Sequence, residues 1–125
     1  MSGALILIVE DNPKNLKLFR DVLQFKGYET IEAESAEAGI ALARERHPAL
    51  ILMDIQLPEM DGREAMKVLK SDETTRQIPI IAVTSFAMKG DREDLLANGF
   101  NDYLAKPVNI KEFPQLVEHH LNTKS

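Results

Sequence analysis

Asp54 closes an apolar run, Leu50-Ile51-Leu52-Met53-Asp54, and Pro58 and Gly62 follow it, which mark a loop rather than a continued strand. A buried strand that ends on one acid offers a carboxylate as a ligand or a nucleophile. Three other runs end in a similar way. Residues 5–9 lead into Glu10 and Asp11, residues 80–83 into Thr84 and Ser85, and Tyr103-Leu104-Ala105 into Lys106 and Pro107. Three acids, a hydroxyl and an ammonium are the groups needed to hold a hard cation and to handle a phosphoryl group.

The elements that must carry these residues alternate. Short β-branched or Leu-rich runs lie at 4–9, 28–33, 49–54, 79–84 and 102–105. Helical spacings lie between and after them, at 12–26, 35–46, 63–71, 87–98 and 109–122. Pro13 suits a first turn, Ser35 an N-cap, and Gly27 and Gly99 helix stops. Five βα units of this kind predict a doubly wound α/β fold: one parallel sheet with helices on both faces. The first, third and fourth strands are almost wholly apolar and should be central, whereas 28–33 alternates and should lie at an edge. Pro114 conflicts with a straight helix capped by Asn109, because it has no N–H for the carbonyl of Ile110. The last helix should therefore start irregularly, or begin again near Phe113.

Composition narrows the function. The 125 residues suffice for one domain, 1–125, and no output domain is expected. The net charge is −5 and no cationic run is present, which argues against nucleic-acid binding and against a polybasic membrane anchor. The absence of Cys excludes disulfides, thiolate metal sites and Cys nucleophiles. No apolar run approaches a membrane span, and no signal-like N-terminus precedes Glu10 and Asp11, so a soluble cytoplasmic monomer is expected. His47, His119 and His120 are expected on the surface, and the last two, adjacent on a helix, make a poor metal pair.

In a doubly wound sheet, ligands bind beyond the C-terminal strand ends, near the reversal of strand order. Every candidate residue lies at such an end. If the first and third strands are neighbours, Glu10, Asp11 and Asp54 converge, and their mutual repulsion would raise at least one pKa. Mg2+, or Mn2+ in its place, relieves that repulsion, and two carboxylates plus the backbone carbonyl of Gln56 would suit it. Thr84 could donate to one phosphoryl oxygen and Lys106 could pair with another, leaving the central Asp54 to attack phosphorus. Asp11 on its own could equally cap the helix that begins near Pro13.

The sequence resembles the receiver domains of two-component response regulators along nearly its whole length. The matching motifs are Ile8-Val9-Glu10-Asp11-Asn12, Met53-Asp54 through Asp61-Gly62, Ala82-Val83-Thr84-Ser85 and Tyr103-Leu104-Ala105-Lys106-Pro107. The resemblance implies strand order 2-1-3-4-5. It implies Asp54 as phosphoacceptor, Glu10 and Asp11 as Mg2+ holders with Asp54, Thr84 as the switch hydroxyl and Lys106 as the phosphate-pairing cation. It also implies Tyr103 as an aromatic that turns inward on activation and a cis Lys106–Pro107 bond. Glu10 replaces the more frequent Asp, and its longer arm suggests contact with the metal through water. Ser85 replaces the frequent Ala but stays small.

The partners implied are a sensor histidine kinase or histidine phosphotransfer protein, and a downstream protein docking on the fourth helix, fifth strand and fifth helix. Phe86 and Met88 are expected in that docking patch. Loop 86–91, with Asp11-Asn12 and Leu18-Phe19, is most similar to single-domain bacterial regulators of cell division and polarity. A phosphorelay shuttle and the receiver of a hybrid kinase are the alternatives. An Asp-nucleophile phosphatase is a remote one, because it needs a second acid where Gln56 stands.

Overall fold

The alternating pattern folds into five βα units. They are β1 (Leu5–Val9), α1 (Pro13–Phe25), β2 (Glu29–Ala33), α2 (Ala36–Arg46), β3 (Leu50–Asp54), α3 (Gly62–Ser71), β4 (Ile80–Thr84), α4 (Asp91–Asn98), β5 (Asp102–Ala105) and α5 (Glu112–Asn122). The computed structural model describes residues 3–57, 60–85 and 91–122. All strand pairs are parallel, in the order β2-β1-β3-β4-β5.

Side chains alternate across a strand, so each central strand feeds two cores. Ile6, Ile8, Leu50, Leu52, Ile81 and Val83 face α1 and α5, where they meet Phe19, Leu23, Phe113 and Val117. Leu7, Val9, Ile51, Met53, Ile80 and Ala82 face the other way, toward Ile40, Met66, Leu69 and Leu95 of α2, α3 and α4. This is why β1, β3 and β4 read as unbroken apolar runs. The edge strand β2 needs only partial cover, and its residues are exposed to half-buried up to Ala33.

Local signals explain the boundaries. Asn12, not Asp11, is the N-cap of α1: its Oδ1 accepts the N–H of Lys14 at 2.9 Å and of Asn15 at 3.3 Å. Ser35 caps α2. Gly27 and Gly99 end their helices with φ of 93° and 126°. His47 ends α2 in the same left-handed region, at φ 46°, and is exposed as expected. The last helix is irregular at its start, as Pro114 demands. Asn109 Oδ1 accepts the N–H of Lys111 (2.8 Å) and of Glu112 (3.2 Å), helix begins at Glu112, and Pro114 falls in the first turn, where a missing N–H costs little.

His120 departs from the surface expectation. Its side chain is only 14% exposed and its Nε2 lies 3.0 Å from Asp102 Oδ2, tying the end of α5 to the start of β5. At the same end of the sheet, Asn101 Oδ1 accepts the Ile80 N–H (2.9 Å) and the Lys70 ammonium (3.1 Å), so a side chain extends the pairing of β4 and β5.

The feature that most directly positions Asp54 is the approach of α3. A Cβ on Gly62 would lie 2.5 Å from the Asp54 carbonyl oxygen and 2.7 Å from Ile55 Cα, both backbone atoms with nowhere to go. Only glycine lets α3 begin this close to the end of β3. Gly62→Ala is expected to destabilise the fold by roughly 1–3 kcal/mol, as overpacking does. Urea unfolding measures this, and an unchanged midpoint would show that the turn has slack.

Candidate functional site

Three strands of the sheet end in the same cleft. Glu10 continues β1 for one residue, with its N–H bonded to the Ala33 carbonyl at 2.9 Å, and its side chain is buried. Asp54, the last residue of β3, is buried too. Thr84, the last residue of β4, is fully buried. Asp11 is exposed at the mouth. One carboxylate oxygen from each of Glu10, Asp11 and Asp54 falls within 4.8 Å of the others.

Lys106 reaches into this acidic group from the end of β5. Its backbone N–H is fixed to the Thr84 carbonyl at 2.8 Å, and the next bond, Lys106–Pro107, is cis. Its ammonium lies 3.1 Å from Asp54 Oδ2 and 3.1 Å from Glu10 Oε1. The other Asp54 oxygen, Oδ1, accepts the N–H of Gln56 at 2.9 Å. Glu10 Oε2 accepts the N–H of Asn12 at 3.2 Å. Glu10 Oε1, although 3.1 Å from the ammonium, is buried with no hydrogen-bond partner among the described residues.

The charges follow from this packing. Burial pushes the Glu10 carboxyl up to about 7, and the neighbouring Asp54 adds to the shift, against the smaller pull of the Asn12 N–H and Lys106. Burial also works against the Lys106 charge, but Asp54 and then Glu10 outweigh it, and its pKa is raised. Among the described residues, the Lys106 ammonium is thus shared between two buried acids, and one carboxylate oxygen has no donor. That donor set, hard oxygens only and one of them orphaned, fits Mg2+ or Mn2+.

Glu10, Asp11, Asp54 and Lys106, each expected at one site, come together, with Thr84 buried at the adjacent strand end. Two contacts come from the structure alone: Lys106 already bridges Glu10 and Asp54, and the Gln56 Oε1 accepts the Ser85 N–H at 2.9 Å, tying the end of β3 to the end of β4. Gln56 was expected to serve through its backbone carbonyl, and no sequence pattern marks its side chain. Tyr103 lies on the edge strand β5, half-buried against the α2–α4 side of the core, and Pro107 is exposed. Phe86 and Met88 lie outside the described residues.

The model of the response regulator receiver domain matches residues 6–118. The chain belongs to the response regulator receiver family. It is similar to the polar-differentiation response regulator DivK of Brucella ovis, 52% identical over 116 residues that cover 93% of this chain and 94% of the relative. DivK of Brucella anthropi is 49% identical over the same shares. Among solved structures, the receiver domain of a sensor histidine kinase from Pseudomonas aeruginosa PAO1 superimposes with a TM-score of 0.88 at 36% identity, covering 97% of this chain and 99% of that one. That structure has a magnesium ion coordinated in its active-site cleft. A CheY-like receiver protein from Methanospirillum hungatei JF-1 gives a TM-score of 0.88 at 30% identity, over 98% of this chain and 96% of that one.

The raised Glu10 pKa sets a pH dependence for the metal-free receiver. Below the unfolded value of 4.5 both states hold the proton and the burial of Glu10 costs nothing extra. As pH rises toward about 7 the unfolded chain ionises first, so the folded state loses stability, on the order of 3 kcal/mol once Glu10 is charged. In chelator, wild type should weaken from pH 5 to 8 relative to Glu10→Gln, measured by urea unfolding. Parallel profiles for the two proteins would remove the shift.

Proposed function

We propose that this receiver accepts a phosphoryl group on Asp54 from a phosphohistidine of a sensor histidine kinase or a histidine phosphotransfer protein, and signals by phosphorylation-dependent protein binding. The observation that carries this reading is the shared Lys106 ammonium. It neutralises Asp54 and Glu10 at rest, and it lies close enough to turn to a phosphoryl oxygen once Asp54 is esterified. Asp54 Oδ attacks phosphorus, the phosphorus–nitrogen bond breaks, and the imidazole leaves with a proton, giving an acyl phosphate. Glu10, Asp11, Asp54 and the Gln56 carbonyl are the residues to hold Mg2+ or Mn2+. When bound, the metal supplies positive charge to the transferring oxygens. Thr84 is the hydroxyl to meet one phosphoryl oxygen, and Lys106 the cation to meet another.

New charge beside Thr84 and Lys106 biases the β4–α4 and β5 side of the molecule. Tyr103 stands there as the aromatic that responds, with Phe86 and Met88 assigned to the docking patch. An open groove of about 660 Å³, lined by Tyr103, Leu104, Ala105, Gln115, Leu116 and others, runs between β5 and α5 and supports docking on this face. The similarity to the DivK proteins favours a role in polar differentiation or the cell cycle. The similarity to a sensor-kinase receiver keeps a phosphorelay role as second reading. A phosphatase reading is disfavoured because Gln56 has no carboxyl proton to give.

Intact-protein mass after incubation with acetyl phosphate and Mg2+ tests the acceptor. A single phosphate adduct is expected in wild type, absent in Asp54→Asn and absent with chelator. An adduct that persists in Asp54→Asn would move the acceptor elsewhere, and none in any protein would reject phosphoryl acceptance from this donor.

A further inference from the structure

Resting on that reading, we infer that the Gln56 side chain is a positioning residue that holds the site in its resting form by occupying the Ser85 backbone N–H, the donor an incoming phosphoryl group needs. Gln56 spans the mouth of the cleft. Its own N–H donates to Asp54 Oδ1 at 2.9 Å, and its Oε1 accepts the Ser85 N–H at 2.9 Å. Ser85 follows Thr84 directly, and Ile55, which follows Asp54, donates its N–H to the Val83 carbonyl, so the two strand ends run side by side at this level. A phosphoryl group on Asp54 brings three acceptor oxygens to a lip where, beyond the Ile55 N–H that closes the β3–β4 ladder, the next residues carry the Gln56 and Ser85 N–H groups. One of these already faces the Asp54 carboxylate, and the other is taken by a neutral amide.

The contact is built to exchange. Charge-assisted bonds to an anionic oxygen are roughly twice as strong as neutral ones, so a phosphoryl oxygen outcompetes the amide for Ser85. Gln56 and Ser85 are both exposed, so the displaced amide returns to water without burying an unsatisfied group. The amide orientation is fixed by its partner, because only the oxygen can accept from an N–H. Gln56 therefore sets how readily the phosphorylated form is reached, independently of metal binding through its backbone.

Amide-resolved NMR of the full chain, titrated with beryllofluoride and Mg2+, tests this. In wild type the Ser85 amide should be protected from hydrogen exchange before any beryllofluoride is added. Gln56→Leu and Gln56→Asn, one lacking the acceptor and one too short to reach, should lose that protection and bind beryllofluoride on the order of threefold to tenfold more tightly. Gln56→Glu, with acceptor oxygens at the original reach, should restore the protection. An unprotected Ser85 amide in wild type, or equal affinity in wild type, Leu and Asn forms, overturns the inference while leaving phosphoryl acceptance standing. A wild type that takes neither beryllofluoride nor acetyl phosphate overturns both.

Discussion

The structure depends on a charge balance at the carboxyl ends of its central strands. Glu10 and Asp54 are buried there, and two adjacent buried acids cannot both ionise without compensation. The ammonium of Lys106 supplies part of it, beside one N–H from Asn12 and one from Gln56, and the Glu10 carboxyl still stays raised. The rest of the fold serves to bring that one cation to those two acids. It must come from β5, two strands away from β3, and it arrives because the Lys106 N–H continues the β4–β5 ladder at Thr84 and places its side chain at the strand end. The adjacency of β1, β3, β4 and β5 is what brings the acids and the cation to one end of the sheet.

The two-sided core makes that placement dependable. Because every residue of β3 and β4 is buried, a register slip by one position would move each apolar side chain of the slipped strand from one core to the other. Register is therefore held by packing on both faces, and the polar residues at the strand ends inherit their positions from it. The Phe19–Phe113 edge-to-face contact, at 5.2 Å between ring centres, joins α1 and α5 beneath the site. These helices flank the two sides from which Asp11 and Lys106 enter.

Much of this was legible in the sequence because the signals are periodic and local. The unbroken apolar runs of β1, β3 and β4 announce central strands, the mixed run 28–33 announces an edge, and Pro114 forces an irregular helix start. The site residues were legible because each stands at the polar end of an apolar run, with Asp11 directly after Glu10. What was not legible depends on side-chain reach across the sheet. Nothing in the spacing says that Lys106 would touch Glu10, that Gln56 would cross to Ser85, or that His120 would fold back onto Asp102 rather than face solvent. Asn12 as the cap of α1 was hidden for a different reason: Asp11 and Asn12 are both good caps, and only the backbone conformation of Asn12 decides between them.

Gly62 divides the molecule mechanically. With the start of α3 seated against the Asp54 carbonyl, β3 and α3 meet backbone to backbone at Asp54. Across from it, β4 is held to β3 by the backbone ladder that ends with the Ile55 N–H on the Val83 carbonyl, and beyond that ladder by softer links, the Gln56 amide at Ser85 and the Lys106 ammonium at Asp54. A push delivered at Asp54 therefore meets a stiff wall on one side and yielding contacts on the other. Stiffness around Asp54 is thus uneven: on the α3 side backbone meets backbone, and on the side of Ser85 and Lys106 two side chains can exchange partners without breaking the sheet.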